Sequence, residues 1–136
     1  MDPRLKKKMT VFIDFASRLS TLSTCKRLQV GCIITDLRQV YAIGYNGIPS
    51  KCDNDLCNPD VPGACGCVHA EANALTKLSS EQPDLWLHCT HQPCAMCSSL
   101  IINRGNISKV TYTHSYRDPS GLILLRKVGI DVGLFE

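Results

Sequence analysis

The sequence predicts an α/β fold of three layers, helices on both faces of a five-stranded mixed sheet. Three observations carry this. Two short, apolar, β-branched runs are separated by the turn Asp36 to Gln39 and read as a β-hairpin. After the hairpin, helix-period segments alternate with strand-length apolar segments. The 136 residues allow one domain, 1–136, with a real hydrophobic core. A hairpin followed by βα alternation gives a mixed sheet with helices on both sides.

Met9, Phe12, Ile13, Ala16 and Leu19 recur at helical spacing, so an amphipathic helix is expected over 4–22, ended by the polar stretch Ser20 to Thr24. Val30 to Thr35 and Val40 to Tyr45 are the hairpin strands. Residues 46–67 hold Gly, Pro, Asp, Asn and four cysteines without periodicity; a loop of this length is functional or braced. His69 to Leu78 is rich in helix formers, Ser79 to Asp84 breaks it, and Leu85 to Thr90 is the third strand. Pro93 opens a helix running to Asn103, stopped at Arg104-Gly105, since proline suits the first helical turn and glycine the position past the last. Lys109 to Thr113 is the fourth strand, Pro119 to Val128 the last helix, and Ile130 to Leu134 the fifth strand.

A composition of 44% hydrophobic and 20% charged residues excludes disorder, collagen and a coiled coil. No apolar run approaches the ~18 residues of a membrane span, and no apolar segment with a cleavage site follows the charged N-terminus, so a cytoplasmic protein without a membrane partner is expected. A net charge of +3 is too small to indicate a nucleic-acid partner. The charge is uneven, with seven Lys and Arg against two Asp in the first 27 residues. Lys6, Lys7 and Lys8 read as a solvated helix face. Lys26 and Arg27, on the loop before the first strand, read either as a solvated pair or as an anion site in which Arg27 clasps phosphate.

Nine cysteines are the compositional outlier. In a reducing compartment, clustered cysteines point to metal or to chemistry rather than to disulfides. Cys32 and Cys89 lie inside apolar runs and read as small core residues. The informative segments are His69-Ala70-Glu71 and Pro93-Cys94-Ala95-Met96-Cys97. Cys94 and Cys97, three apart at a helix start, face one side, where the helix N-terminus favours the metal-binding thiolate. One His and two Cys match a catalytic zinc, which keeps its fourth position for water. Glu71, two residues past His69, can reach the same pocket without ligating, which is the place of a proton shuttle. Alone, C-x-x-C also reads as a redox pair and H-A-E as an ordinary helix start.

Jointly, H-x-E and P-C-x-x-C, each opening a helix and separated by one strand, are the signature of the zinc-dependent nucleobase deaminases. The chain resembles the deoxycytidylate (dCMP) deaminases of the cytidine/deoxycytidylate deaminase superfamily. The resemblance also rests on Ser23 to Gly31 (STCKRLQVG), Gly44 to Pro49 (GYNGIP), the continuation Ala72-Asn73-Ala74-Leu75, and Tyr116-Arg117-Asp118-Pro119 with the helix that follows. It implies the cytidine-deaminase-like α/β/α fold and hydrolysis of dCMP to dUMP and ammonia, feeding thymidylate synthesis. In the implied chemistry a zinc on His69, Cys94 and Cys97 activates water, and Glu71 shuttles the protons. Among the implied substrate-binding residues, Asn46 meets the sugar 3′-hydroxyl, Tyr116 lies near the base and phosphate, and Ala70 and Arg27 complete the set; Asn46-Gly47 is also a strong turn pair. The resemblance further implies a homo-oligomer, a hexamer by preference, and dCTP and dTTP as effectors with Mg2+ on the triphosphate. The stretch Lys77-Leu78-Ser79-Ser80 lacks the aromatic and arginine that some regulated members carry there.

The rival readings are a tRNA adenosine deaminase, which also carries H-A-E and P-C-x-M-C, a non-catalytic zinc module, and a free cytidine deaminase, whose first ligand is Cys. Against the second stands the three-ligand set with a nearby glutamate, since structural sites close with four. Finally, Cys52, Cys57, Cys65 and Cys67 crowd a loop that has no core of its own. A second, structural zinc on these four explains their density, with Cys25 as an alternative ligand in place of Cys65 or Cys67.

Overall fold

A computed structural model describes residues 1–61 and 64–136. Its elements run α1 (Pro3–Ser20), β1 (Gly31–Thr35), β2 (Val40–Tyr45), a 3-10 turn (Asn54–Leu56), α2 (Ala70–Lys77), β3 (Leu85–His91), α3 (Ala95–Arg104), β4 (Ile107–His114), α4 (Ser120–Lys127) and β5 (Asp131–Leu134). The five strands form one sheet in the order β2-β1-β3-β4-β5. β1 pairs antiparallel with β2 and β3, whereas β3–β4 and β4–β5 are parallel, so the sheet is mixed as expected.

Alternation along β3 divides the core. Leu85, Leu87 and Cys89 join Cys32, Ile34 and Val110 on the face covered by α2, α3 and α4, through Ala74, Leu75, Ile101 and Leu125. Trp86 meets α1 on the opposite face through Met9 and Ile13, and Ala16 and Leu19 of α1 pack on Ile33. Among the described residues no helix is long and apolar enough to cross a membrane.

Most element boundaries shift by one or two residues from the sequence expectation, and in α1, β4 and α3 the local reason is plain. α1 begins at Pro3 because Asp2 caps it, its carboxylate accepting the Arg4 N–H at 3.2 Å. β4 extends from Ile107 to His114, longer at both ends than its β-branched centre indicates, because β3 offers a parallel partner along that length. Pro93 stands outside the helix it was expected to open. Cys94 is the N-cap, with extended torsions (φ −76°, ψ 173°), and its Sγ accepts the Cys97 N–H at 3.5 Å.

Two glycines bring the motif-bearing helices close. A Cβ on Gly44 of β2 would collide with Ala70 O and lie 2.6 Å from Ala74 N, both backbone atoms of α2. A Cβ on Gly121 of α4 would collide with Pro93 O and lie 2.8 Å from Ser98 Oγ on α3. Gly44→Ala must therefore push α2 away from the sheet. It is expected to lower stability by about 1–3 kcal/mol, the usual cost of overpacking, seen as a lower urea midpoint at unchanged m-value.

Candidate active site

α2 and α3 begin beside the C-terminal end of β3, and each begins with a metal-binding side chain. His69 is the N-cap of α2; its torsions are extended (φ −68°, ψ 152°) and its imidazole makes no capping bond, which leaves the ring free to turn toward α3. His69 Nδ1 lies 3.3 Å from Cys97 Sγ and 3.6 Å from Cys94 Sγ. All three donor atoms sit within 4.8 Å of one another, the arrangement of a set that converges on one ion. Hydrogen bonds from Cys97 and then His69 hold the Cys94 thiol at about 4, far below its usual range, so it is a thiolate at neutral pH. Cys97, the partner that donates to it, is correspondingly raised. The Cys94 contact raises His69 in turn.

Glu71 lies in the first turn of α2 and is only 4% exposed. Burial pushes its carboxyl above the ordinary range, opposed by its own backbone N–H, the charge of His69 and a hydrogen bond with Cys89. Cys89 is thus a core residue that also touches the acid. A cavity of about 360 Å³ opens over His69, Glu71 and Cys94, within the range of small-molecule sites. Arg27, Asn46, Ala70 and Tyr116, which the sequence reading assigned to substrate, all line it.

Asn46 does more than turn the chain. It is buried, and Oδ1 accepts from Ser23 Oγ at 2.6 Å and Val30 N at 2.9 Å, while Nδ2 donates to Leu28 O at 2.6 Å. It thereby ties the loop carrying Cys25 and Arg27 to the end of β2. Gln92, which no sequence motif marks, does the same on the other side. Its Nε2 donates to Asp118 O and its Oε1 accepts the Tyr116 N–H, both at 2.9 Å, so the Tyr116 segment is fixed to the turn before Cys94. His91 and His114 also line the cavity. No local motif marks them; only the β3–β4 register brings them together.

A second cluster borders the same cavity through Cys25, Cys65 and Cys67. Cys25, Cys57, Cys65 and Cys67 place their sulfurs within 4.8 Å of one another, with Cys25 and Cys65 at 3.8 Å. This corrects the expected set. Cys25 joins it, and Cys52 stands outside. The turn Pro49 to Cys52, with Lys51 at φ 70°, leaves Cys52 exposed on a separate hollow. Burial works to raise the Cys25 thiol, but the Leu28 and Arg27 N–H groups and the Cys67 and Cys65 thiols outweigh it and bring it to about 7. Cys67 is raised, by burial first and then by its cysteine neighbours. Each cluster supplies soft donors in zinc-binding number: three with an open side, and four.

The family described as "Cytidine and deoxycytidylate deaminase zinc-binding region" matches residues 6–114. The chain is 35% identical over 137 residues to a deoxycytidylate deaminase of Saccharomyces cerevisiae, covering 92% of this chain and 44% of that protein. It is 37% identical over 119 residues to a deoxycytidylate deaminase of Mycobacterium phage D29, covering 74% of this chain and 90% of that one. The chain thus spans less than half the length of the yeast relative. The crystal structure of the cyanophage S-TIM5 dCMP deaminase in complex with dCMP and dUMP is similar at 34% identity and TM-score 0.83, covering 99% of each chain.

The Asn46 bonds generate a prediction independent of chemistry. Asn46→Ala leaves buried partners unpaired and is expected to cost about 1–3 kcal/mol. Hydrogen exchange should read the loss as faster exchange of the Val30 amide, with β3 amides protected as before.

Proposed function

Because the chain belongs to the cytidine and deoxycytidylate deaminase family, we propose that it hydrolyses the exocyclic amine of dCMP, yielding dUMP and ammonia. The observation that carries this reading is the convergence of His69, Cys94 and Cys97 beside the buried Glu71 at one cavity. The donor chemistry fits zinc, one borderline nitrogen with two soft sulfurs, one already a thiolate. Bound there, zinc makes hydroxide available near neutral pH.

The rest is the work of this chain's own groups. Glu71 takes the proton of the attacking water and hands it to ring N3, which makes C4 electrophilic. It then moves a second proton to the amine as the C4–N bond breaks. Burial, which raises the Glu71 pKa above the ordinary carboxylate range, suits a group that must hold as well as take up a proton in one turnover. Ala70, between His69 and Glu71 at the start of α2, lines the same cavity and completes the set of substrate contacts. Arg27 takes the phosphate, Tyr116 lies beside base and phosphate, and Asn46 keeps one N–H beyond its Leu28 bond for the sugar 3′-hydroxyl.

The second cluster, Cys25, Cys57, Cys65 and Cys67, is read as a closed structural zinc site that braces the loop beside the pocket. The family reading also carries a homo-oligomer, a hexamer by preference, and a dCTP or dTTP effector with its Mg2+. Supporting an effector is a second hollow of about 340 Å³ lined by Lys51, Asn54, Asn73, Thr76 and Lys77, where the lysines supply point charges for phosphate. Nine free cysteines suit the reducing cytoplasm.

The direct test is ammonia release from dCMP, cytidine and tRNA in parallel. Release from dCMP ahead of the others is expected, and none from dCMP overturns the reading. Glu71→Gln should keep its zinc and fold while kcat falls by about 10²–10⁴, since the amide cannot exchange protons. Metal analysis of protein purified under reducing conditions should return two zinc ions per chain. Cys57→Ser should lower the count to one and Cys52→Ser should leave it unchanged.

A further inference from the structure

His91 ends β3 and His114 ends β4, and the parallel register pairs them directly. Their rings stack with centroids 4.8 Å apart at an interplanar angle of 33°. Neither residue belongs to the zinc motifs or takes part in the proton transfers, yet both line the cavity with Arg27.

The hydrogen-bond network fixes how His91 presents itself. Its Nδ1 lies 2.9 Å from Thr90 Oγ1. That hydroxyl is buried and already accepts the Gly31 N–H at 3.1 Å, and His91 Nδ1 is the partner that can take its proton. The network therefore assigns the proton of His91 to Nε2, leaving that N–H as a donor. Burial, and then His114 beside it, lower the His91 pKa, so the neutral ring with this fixed donor is the form present at neutral pH.

The charge of the wall points the same way. Among the described residues lining the cavity, Glu71 is the one carboxylate, and it is buried beside the metal-binding set. Beyond His69 of the metal-binding set and the amides Asn46 and Gln92, which tie down the loops, the cationic and imidazole side chains lining the cavity are Arg27, His91 and His114. A guanidinium with two imidazoles, in a wall whose one carboxylate among the described residues is buried beside the metal-binding set, suits a compact dianion.

We propose that His91 and His114 form, with Arg27, the subsite that recognises the substrate's phosphate monoester and so makes the enzyme selective for a nucleotide over a nucleoside. The proposal rests on the dCMP reading above and adds the residues that discriminate.

His91→Phe and His114→Phe preserve the stacked rings and delete the N–H donors. Because each removes a hydrogen bond to a charged group, KM for dCMP should rise about 10–100-fold while kcat changes little. The same variants should leave kcat/KM for deoxycytidine, which lacks the phosphate, at the wild-type value. His91→Gln, which keeps an N–H donor, should recover part of the dCMP affinity and guards against a folding defect in His91→Phe. An unchanged KM for dCMP, or an equal loss on dCMP and deoxycytidine, overturns the proposal. Calorimetry with dUMP and deoxyuridine separates this from the functional reading. Should wild-type protein bind dUMP the more tightly and the Phe variants lose that margin without any turnover of dCMP, the subsite stands and the deamination reading falls. Equal binding of dUMP and deoxyuridine by wild-type protein removes the subsite.

Discussion

His69 Nδ1 and Cys94 Sγ meet at 3.6 Å because two helices start side by side at the same end of the sheet, and the rest of the architecture serves that meeting. A helix N-terminus carries partial positive charge and unpaired N–H groups, so two of them together favour thiolate and a bound ion's anionic ligands. Holding them there requires α2 to touch β2 at Gly44 and α4 to touch the Pro93 turn at Gly121. It also requires β3 at the centre of the sheet, paired on both sides, to deliver Pro93 and Cys94 from a rigid strand. The same seating sinks Glu71, in the first turn of α2, below the surface, where burial tunes its proton affinity.

Around this centre the irregular segments are tied down by polar side chains rather than by apolar packing. Asn46 clasps the loop before β1 with three hydrogen bonds, and Gln92 clasps the loop after β4 with two. Each anchor sits next to a segment that supplies the cavity wall, Arg27 in one case and Tyr116 in the other. In the long loop, which among its described residues has a single short 3-10 turn, Cys57, Cys65 and Cys67 bring their sulfurs within 4.8 Å of one another and of Cys25. A rigid sheet with braced loops is the arrangement in which a small polar substrate meets preset partners.

The order and type of every regular element were legible in the sequence, because periodicity and turn residues are local signals. The zinc motif was legible for the same reason: His69 with Glu71, and Cys94 with Cys97, each lie within one helical turn. What escaped depends on contacts between distant segments. Cys25 replaces Cys52 because Asn46 draws residues 23–30 to the end of β2, whereas Lys51 turns Cys52 outward, and no spacing within the loop encodes either fact. His91 and His114 are 23 residues apart and meet through the β3–β4 register. Cys89 was rightly read as core, but its contact with Glu71 arises only when α2 lies across β3. The general preference for proline in a first helical turn puts Pro93 inside α3, whereas the Cys94 cap leaves it outside.

Zinc-edge X-ray absorption on the purified chain reads the ligands themselves rather than their consequences. Two ions held by Cys94, Cys97 and His69, and by Cys25, Cys57, Cys65 and Cys67, predict a first shell dominated by sulfur at about 2.3 Å with a minor nitrogen and oxygen component near 2.0–2.1 Å. The imidazole contribution should disappear in His69→Ala while the sulfur shell persists. A first shell of nitrogen and oxygen alone, in wild-type protein, would contradict the account.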